Sequence, residues 1–242
     1  MTISEPLDFP AFGMTRITLR ARSAIARTES PFSFKQQVQS HPGRLWLAEI
    51  EVPPLLNQRE GGEFEAFLLA ADGGRRRFLL GDPARAYAEG SAVLTLQEDE
   101  LLADNGSTLL ADDGSPLLMD QAIGSLSVGD VQVDGNQAAR SETLSLRNLH
   151  PSKADIFLPG DLIQIASGLD ARLHKVLTKT ASNEAGDATV DVWPPLRAAH
   201  ADGTPVTLVN AKGVFRLASN VSEWQIEAPT VYGFTLQARE EI

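Results

Sequence analysis

The chain has 242 residues, 43% of them hydrophobic, with no cysteine and a formal net charge of −11. That length supports one large domain or two small ones whose core comes from packing alone, and the missing cysteine excludes disulfides, thiolate metal sites, iron–sulfur clusters and cysteine nucleophiles. The charge is local: residues 1–97 carry eleven bases and eleven acids, residues 98–142 carry ten acids against Arg140 alone, and residues 143–242 carry nine bases and eleven acids.

Met1 to Pro10 lacks the basic and apolar regions of an export signal, and no apolar run approaches a membrane span, so a chain made and kept in a cytoplasm is expected. Arg16 to Arg22 alternates with period two and predicts a half-buried strand with Ile17, Leu19 and Ala21 on one face. A second strand is predicted from Arg44 to Val52, with Trp46, Ala48, Ile50 and Val52 on one face and Glu49 and Glu51 on the other. Pro53 and Pro54 are expected to end it, because neither donates to a ladder.

The period then changes. Phe64, Phe67, Leu68 and Ala71 fall at i, i+3, i+4 and i+7, the stripe of a short amphipathic helix. Asn57 and Glu60 stand at capping-box spacing ahead of it, and Asp72-Gly73-Gly74 supplies the stop. Arg77–Leu80 and Ser91–Leu96 read as two further strands around the Gly81-Asp82-Pro83 turn.

Residues 101–124 contain an eight-residue repeat (Leu101-Leu102-Ala103-Asp104-Asn105-Gly106, then Leu109-Leu110-Ala111-Asp112-Asp113-Gly114, then Leu117-Leu118-Met119-Asp120). Its Asn-Gly and Asp-Gly pairs are hairpin-turn dipeptides. A calcium-binding β-roll would need another glycine pattern and more copies to stack, so a solvated acidic insertion over 98–142 is expected. Beyond it come Asp161–Ile165, Arg172–Leu177, Ala188–Trp193 and Pro205–Val209, short strands at the spacing of a small antiparallel barrel or sandwich. Gly213–Leu217, Trp224–Glu227 and Gly233–Ala238 complete the series.

Chemistry is thinly represented. His41, His150, His174 and His200 are scattered without metal-ligand spacing. Alternation groups His174 with Arg172, a face expected to point to solvent. His41 and His150 precede prolines, which suits a structural role in extended or turn backbone. No nucleophile elbow, phosphate loop or dinucleotide fingerprint is present, nor a basic groove for nucleic acid. The expectation is a protein that is not an enzyme and has no catalytic residues, metal or cofactor. Arg75-Arg76-Arg77 has three readings: an anion site, a solvated strand edge, or a face for carboxylates of a neighbouring subunit. Phe32 and Phe34 share one face of an extended segment and are contact candidates, with at least one expected in the core.

Several segments together resemble the distal tail (tail-tip) proteins of long-tailed bacteriophages and related gene-transfer particles. They are Glu29-Ser30-Pro31-Phe32, Gly43-Arg44-Leu45-Trp46, Phe64-Glu65-Ala66-Phe67-Leu68, Phe78-Leu79-Leu80-Gly81-Asp82-Pro83, Pro159-Gly160-Asp161-Leu162-Ile163-Gln164-Ile165, Trp193-Pro194-Pro195-Leu196-Arg197 and Lys212-Gly213-Val214-Phe215-Arg216-Leu217. None carries chemistry; their order and spacing carry the likeness, which covers most of the chain except 98–142.

The resemblance implies a mainly β fold: an antiparallel β-sandwich belt domain with one short helix, formed by residues 1–97 and 213–242. A small barrel of the oligonucleotide/oligosaccharide-binding (OB) type, residues 143–212, would be inserted or in tandem. It further implies a virion structural protein assembled in the host cytoplasm, a hexameric ring joining the tail tube to the baseplate hub and fibres. Partners would be copies of itself, the tube protein, the hub or a tail-associated protein, the tape-measure protein and tail fibres. DNA would pass through the channel without specific binding, and no membrane is involved. Phe32, Phe34, Arg75, Arg76 and Arg77 are the candidate subunit contacts. The competing class is a carbohydrate-binding β-sandwich module, which needs a platform of exposed aromatics.

Overall fold

The computed structural model describes residues 4–10, 16–55, 58–92, 96–100, 118–122, 131–221, 223–227 and 231–242. The elements are β1 (Arg16–Glu29), β2 (Gln36–Leu55), α1 (Gln58–Ala71), β3 (Phe78–Gly81), β4 (Leu96–Glu100), β5 (Leu118–Ala122), β6 (Gln132–Val133), β7 (Thr143–Arg147), β8 (Leu162–Ile165), β9 (Arg172–Val176), β10 (Ala188–Trp193), β11 (Val206–Thr207), β12 (Lys212–Leu217), β13 (Trp224–Glu227) and β14 (Val231–Glu240). Among the described residues the protein is mainly β with one short α-helix, as expected. Among the described residues no helix is long and apolar enough to cross a membrane.

The first sheet runs β1-β2-β14-β12-β3, with β13 also paired to β14. Its strands come from both ends of the described chain. Alternation in β2 and β14 buries Trp46, Ala48, Ile50, Val52, Phe234, Leu236 and Ala238 on one face, where the stripe of α1 (Phe64, Phe67, Leu68, Ala71) covers part of them. Phe9, Phe67 and Phe78 meet at ring-centroid distances of 5.2–6.0 Å, in the tilted and edge-on geometries that aromatic quadrupoles favour. The helix stops at Ala71, where Gly73 and Gly74 take φ of 60° and 85°. Asn57 lies outside the described residues, so its capping role does too.

Strand β2 does not end at Pro53-Pro54. It continues to Leu55, and its register with β14 shifts between the pairs Phe234↔Val52 and Tyr232↔Leu55. A bulge of this kind is where a strand tolerates residues without an N–H. The predicted strand over 91–96 also differs. Ser91 and Ala92 form a turn, donating their amides to Asp155 O and Ile156 O; residues 93–95 lie outside the described residues, and Leu96 belongs to β4. Residues 101–117 of the repeat lie outside the described residues, while its end, Leu118 to Asp120, belongs to β5, which pairs with β4.

The second sheet runs β11-β8-β9-β10-β7-β6. It curls until β6 meets β11 through the Gln132↔Pro205 bridge, flanked by Val133 N–H to Thr204 O (2.9 Å) and Val206 N–H to Val131 O (2.9 Å). The result is a small, nearly closed barrel, which leaves few exposed edges. Val133, Leu144, Leu146, Ile163, Ile165, Val176, Val190, Val192 and Val206 fill it. Strand β6 lies in the stretch expected as an acidic insertion, yet it belongs to the barrel, and Ala88 and Ala92 join the barrel core as well.

The barrel wall closes against the first sheet. Leu162 and Leu173 pack with Ala211, Trp46 donates its indole N–H to Leu173 O (3.1 Å), and Trp46 and Trp193 meet edge to face at 4.4 Å. Gly213 permits the approach, since a Cβ there would lie 2.9 Å from that of Leu173. One ion pair bolts the seam: Glu240, 3% exposed, receives Arg197 from the barrel side at 2.5 Å and the backbone N–H of Trp46 at 3.0 Å.

Candidate functional site: an extended hairpin arm

Beyond Ser23 and before its partner Arg44, the β1–β2 ribbon leaves the body of the protein. The pairing Ile25↔Ser40 through Glu29↔Gln36 holds, but every residue from Arg20 to Glu29 and from Pro31 to Gly43 is exposed. Ala24–Glu29 and Gln36–Gly43, six and eight residues, make an arm about 20–25 Å long at the rise of an extended chain. The register shifts between Ser23 and Ile25, at the point where the arm emerges.

Facing residues in this ribbon sort into two surfaces. Ile25, Arg27, Glu29, Gln36, Val38 and Ser40 share one, while Ala26, Thr28, Gln37 and Gln39 share the other. Ile25 is 43% and Val38 56% exposed. The tip is a tight turn closed by Phe34 N–H to Ser30 O (2.9 Å) and Ser30 N–H to Lys35 O (3.0 Å), with Phe34 at φ 53°. Phe32 is 96% and Phe34 76% exposed, so neither is core. Their shared extended segment suggested a buried strand, but it is a turn that holds both rings in solvent. Four basic residues (Arg20, Arg22, Arg27, Lys35) accompany Glu29 alone between residues 20 and 43.

At the arm's root lies a cleft of about 560 Å³, bordered by Ser40, His41, Arg44, Arg140, Glu142 and Arg197. Arg44 pairs with Glu142 across it at 2.7 Å, tying the root to the barrel side.

The arginine triplet is placed elsewhere and is engaged within the chain. Arg75 pairs with Asp72 (2.6 Å), Arg76 donates to Ala70 O (2.5 Å), and Arg77 pairs with Glu5 (2.6 Å). The backbone carbonyls of Gly74 and Arg75 receive Arg216, which also grips Glu241. That pairing holds the Glu241 carboxyl below its ordinary range and raises the Arg216 guanidinium. The triplet thus fastens chain termini to the sheet, and Phe32 and Phe34 are not brought near it.

His174 does not face solvent. Alternation does group it with Arg172, but that face of β9 is the barrel interior, and the opposite face carries Leu173 into the seam with the first sheet. A strand between two cores is buried on both sides, so parity alone gives no exposure. The imidazole is fully buried, its Nδ1–H donating to Pro194 O at 2.7 Å, and its Nε2 has no partner. Burial pushes its pKa down to about 4, and Arg197, His200 and Arg172 add repulsion. Burial lowers His200 as well. Among the described residues no group of three or more His, Cys, Asp or Glu side chains is placed to hold a metal ion.

Sequence reading missed Asp161. Its buried carboxylate accepts from the backbone amides of Glu89 (2.8 Å), Gly90 (3.2 Å) and Leu158 (2.8 Å), clamping residues 89–92 to the barrel. The Pro159-Gly160-Asp161 turn was the only sign of it. Compared with known protein families and with curated proteins, the chain matches none.

Proposed function

We propose that this chain is a structural assembly protein, a ring-former of the tail-tip kind that its sequence resembles. The observation that carries the reading is the arm. Among the described residues the arm has no third strand and no covering layer, and a two-stranded ribbon is marginal in water by itself. Unpaired strand edges and exposed aromatics are the features that natural monomers suppress. A surface of this kind is stable and useful when another molecule covers it, and six-fold repetition makes even a modest contact collectively strong.

In this reading six copies encircle the tail channel, linking tube protein above to hub, tape-measure protein and fibres below, inside a virion assembled in the host cytoplasm. The protein performs no catalysis and DNA passes without specific contact. The carbohydrate-module alternative is less well supported, because Trp46 and Trp193 pack edge to face against each other at the seam.

Mass photometry across concentrations, followed by negative-stain imaging, tests the proposal. The expected result is a closed ring of about six subunits, lost when residues 24–41 are replaced by a two-residue turn. A chain that stays monomeric at every concentration and binds a defined glycan on an array would refute it.

A further inference from the structure

Two ribbons of the molecule lack a third strand among the described residues, and their charges are opposite. One is the arm. The other is β4 with β5, which pair with each other and with no other described strand. A ribbon of two strands gains stability from a covering partner. The arm and the β4–β5 ribbon belong to separate sheets, so neither serves as the other's neighbouring strand within one chain.

On the arm and at its base, Arg22, Arg27 and Lys35 are exposed and have no carboxylate partner among the described residues, whereas Arg20 is held by Glu49. The lone acid there, Glu29, accepts from the side-chain amide of Gln36 (2.8 Å). On the other ribbon the balance is reversed. From Ala86 to Ala139 the sequence contains no lysine or arginine, and Glu98, Asp99, Glu100 and Asp120 fall on β4 and β5. The register sets Glu98 opposite Asp120. Like charges at directly opposed positions weaken a ribbon, and a cationic cover removes that penalty. The apolar content matches as well. Ile25 and Val38 adjoin Arg27 on one surface of the arm, and the register puts Leu96 and Leu118 at positions of the same face as Glu98, Glu100 and Asp120.

We propose that the arm of one copy lies on the β4–β5 ribbon of the next copy, base against acid and apolar residue against apolar residue. The inference rests on the ring reading above and names its contact. Opposite potentials steer the encounter and reject the pairing of arm with arm or ribbon with ribbon. Because arm and ribbon are different patches of one chain, the contact is head-to-tail, the kind that generates a ring when the rotation closes.

Charge reversal in full-length chains tests it. R22E/R27E/K35E gives a chain whose arm and ribbon are both acidic, and E98K/E100K/D120K gives one in which both are basic. Circular dichroism and urea unfolding verify that each remains folded. By mass photometry at low salt, each reversed chain alone is expected to lose the ring, and an equimolar mixture to regain it with the two kinds alternating. For the unmodified chain, the concentration for half-assembly is expected to rise with salt, because the pairs are solvent-exposed and screened. Rings from either reversed chain alone, no rings from the mixture of two folded chains, or unmodified rings insensitive to salt overturn this contact and leave the ring reading standing. The arm would then meet a different partner. An unmodified chain that forms no ring removes both.

Discussion

The barrel and the arm are built from the same kind of strand and meet opposite fates. Strand β9 is covered on both faces, by the barrel interior and by the first sheet, and even its histidine is enclosed. Arm residues of β1 and β2 have neither face covered. The barrel is stabilised by its own burial, whereas the arm is a ladder held out from a rigid sheet. A mutation in the barrel and its seam should therefore unfold the chain, and one in the arm should alter only what the chain assembles with.

The largest effect is expected at the seam. E240A leaves the buried Arg197 guanidinium and the Trp46 amide without their partner, and should cost about 3–5 kcal/mol in urea unfolding. Acid comes next. The folded-state pKa of His174 lies near 4, below its ordinary 6.5, so the unfolded chain takes up a proton that the folded one refuses. Its contribution is fully present above pH 6.5 and is lost as pH falls toward 4, about 3 kcal/mol in all. Urea midpoints measured from pH 7 to 4 should follow that slope, and H174Q, which can still donate to Pro194 O, should flatten this part of it. G213A pushes a methyl against Leu173 and should cost about 1–3 kcal/mol. The smallest change is in the arm: F32S/F34N should leave stability within about 0.5 kcal/mol while abolishing assembly. A large loss of stability from that double substitution would erase the contrast between the two regions.

Much of the fold is legible in the residues. The buried faces of β2 and α1 follow directly from spacing, as do the positions of β8, β9, β10 and β11, but not those of β6 and β7. Other parts are not. The arm segments of β1 and β2 lack an apolar stripe, because no core lies against them, so the alternation that reveals a strand is missing from Gln36 to Gly43. Pro53-Pro54 looked like a stop because the bulge that accommodates it depends on β14, nearly two hundred residues away. Of the candidate contacts, the phenylalanines were identifiable as unusual but not as exposed, and the arginines were visible without their internal partners.

The sequence by itself determined the periods: which residues alternate together, where α1 begins its stripe and stops, and that no cysteine chemistry operates. Tertiary structure alone decided what stands opposite each face. Period two states that His174, Arg172 and Val176 share a side, but whether that side meets water or a core depends on strands distant in sequence. The same limit applies to the arm, whose exposure is a property of everything that does not pack against it.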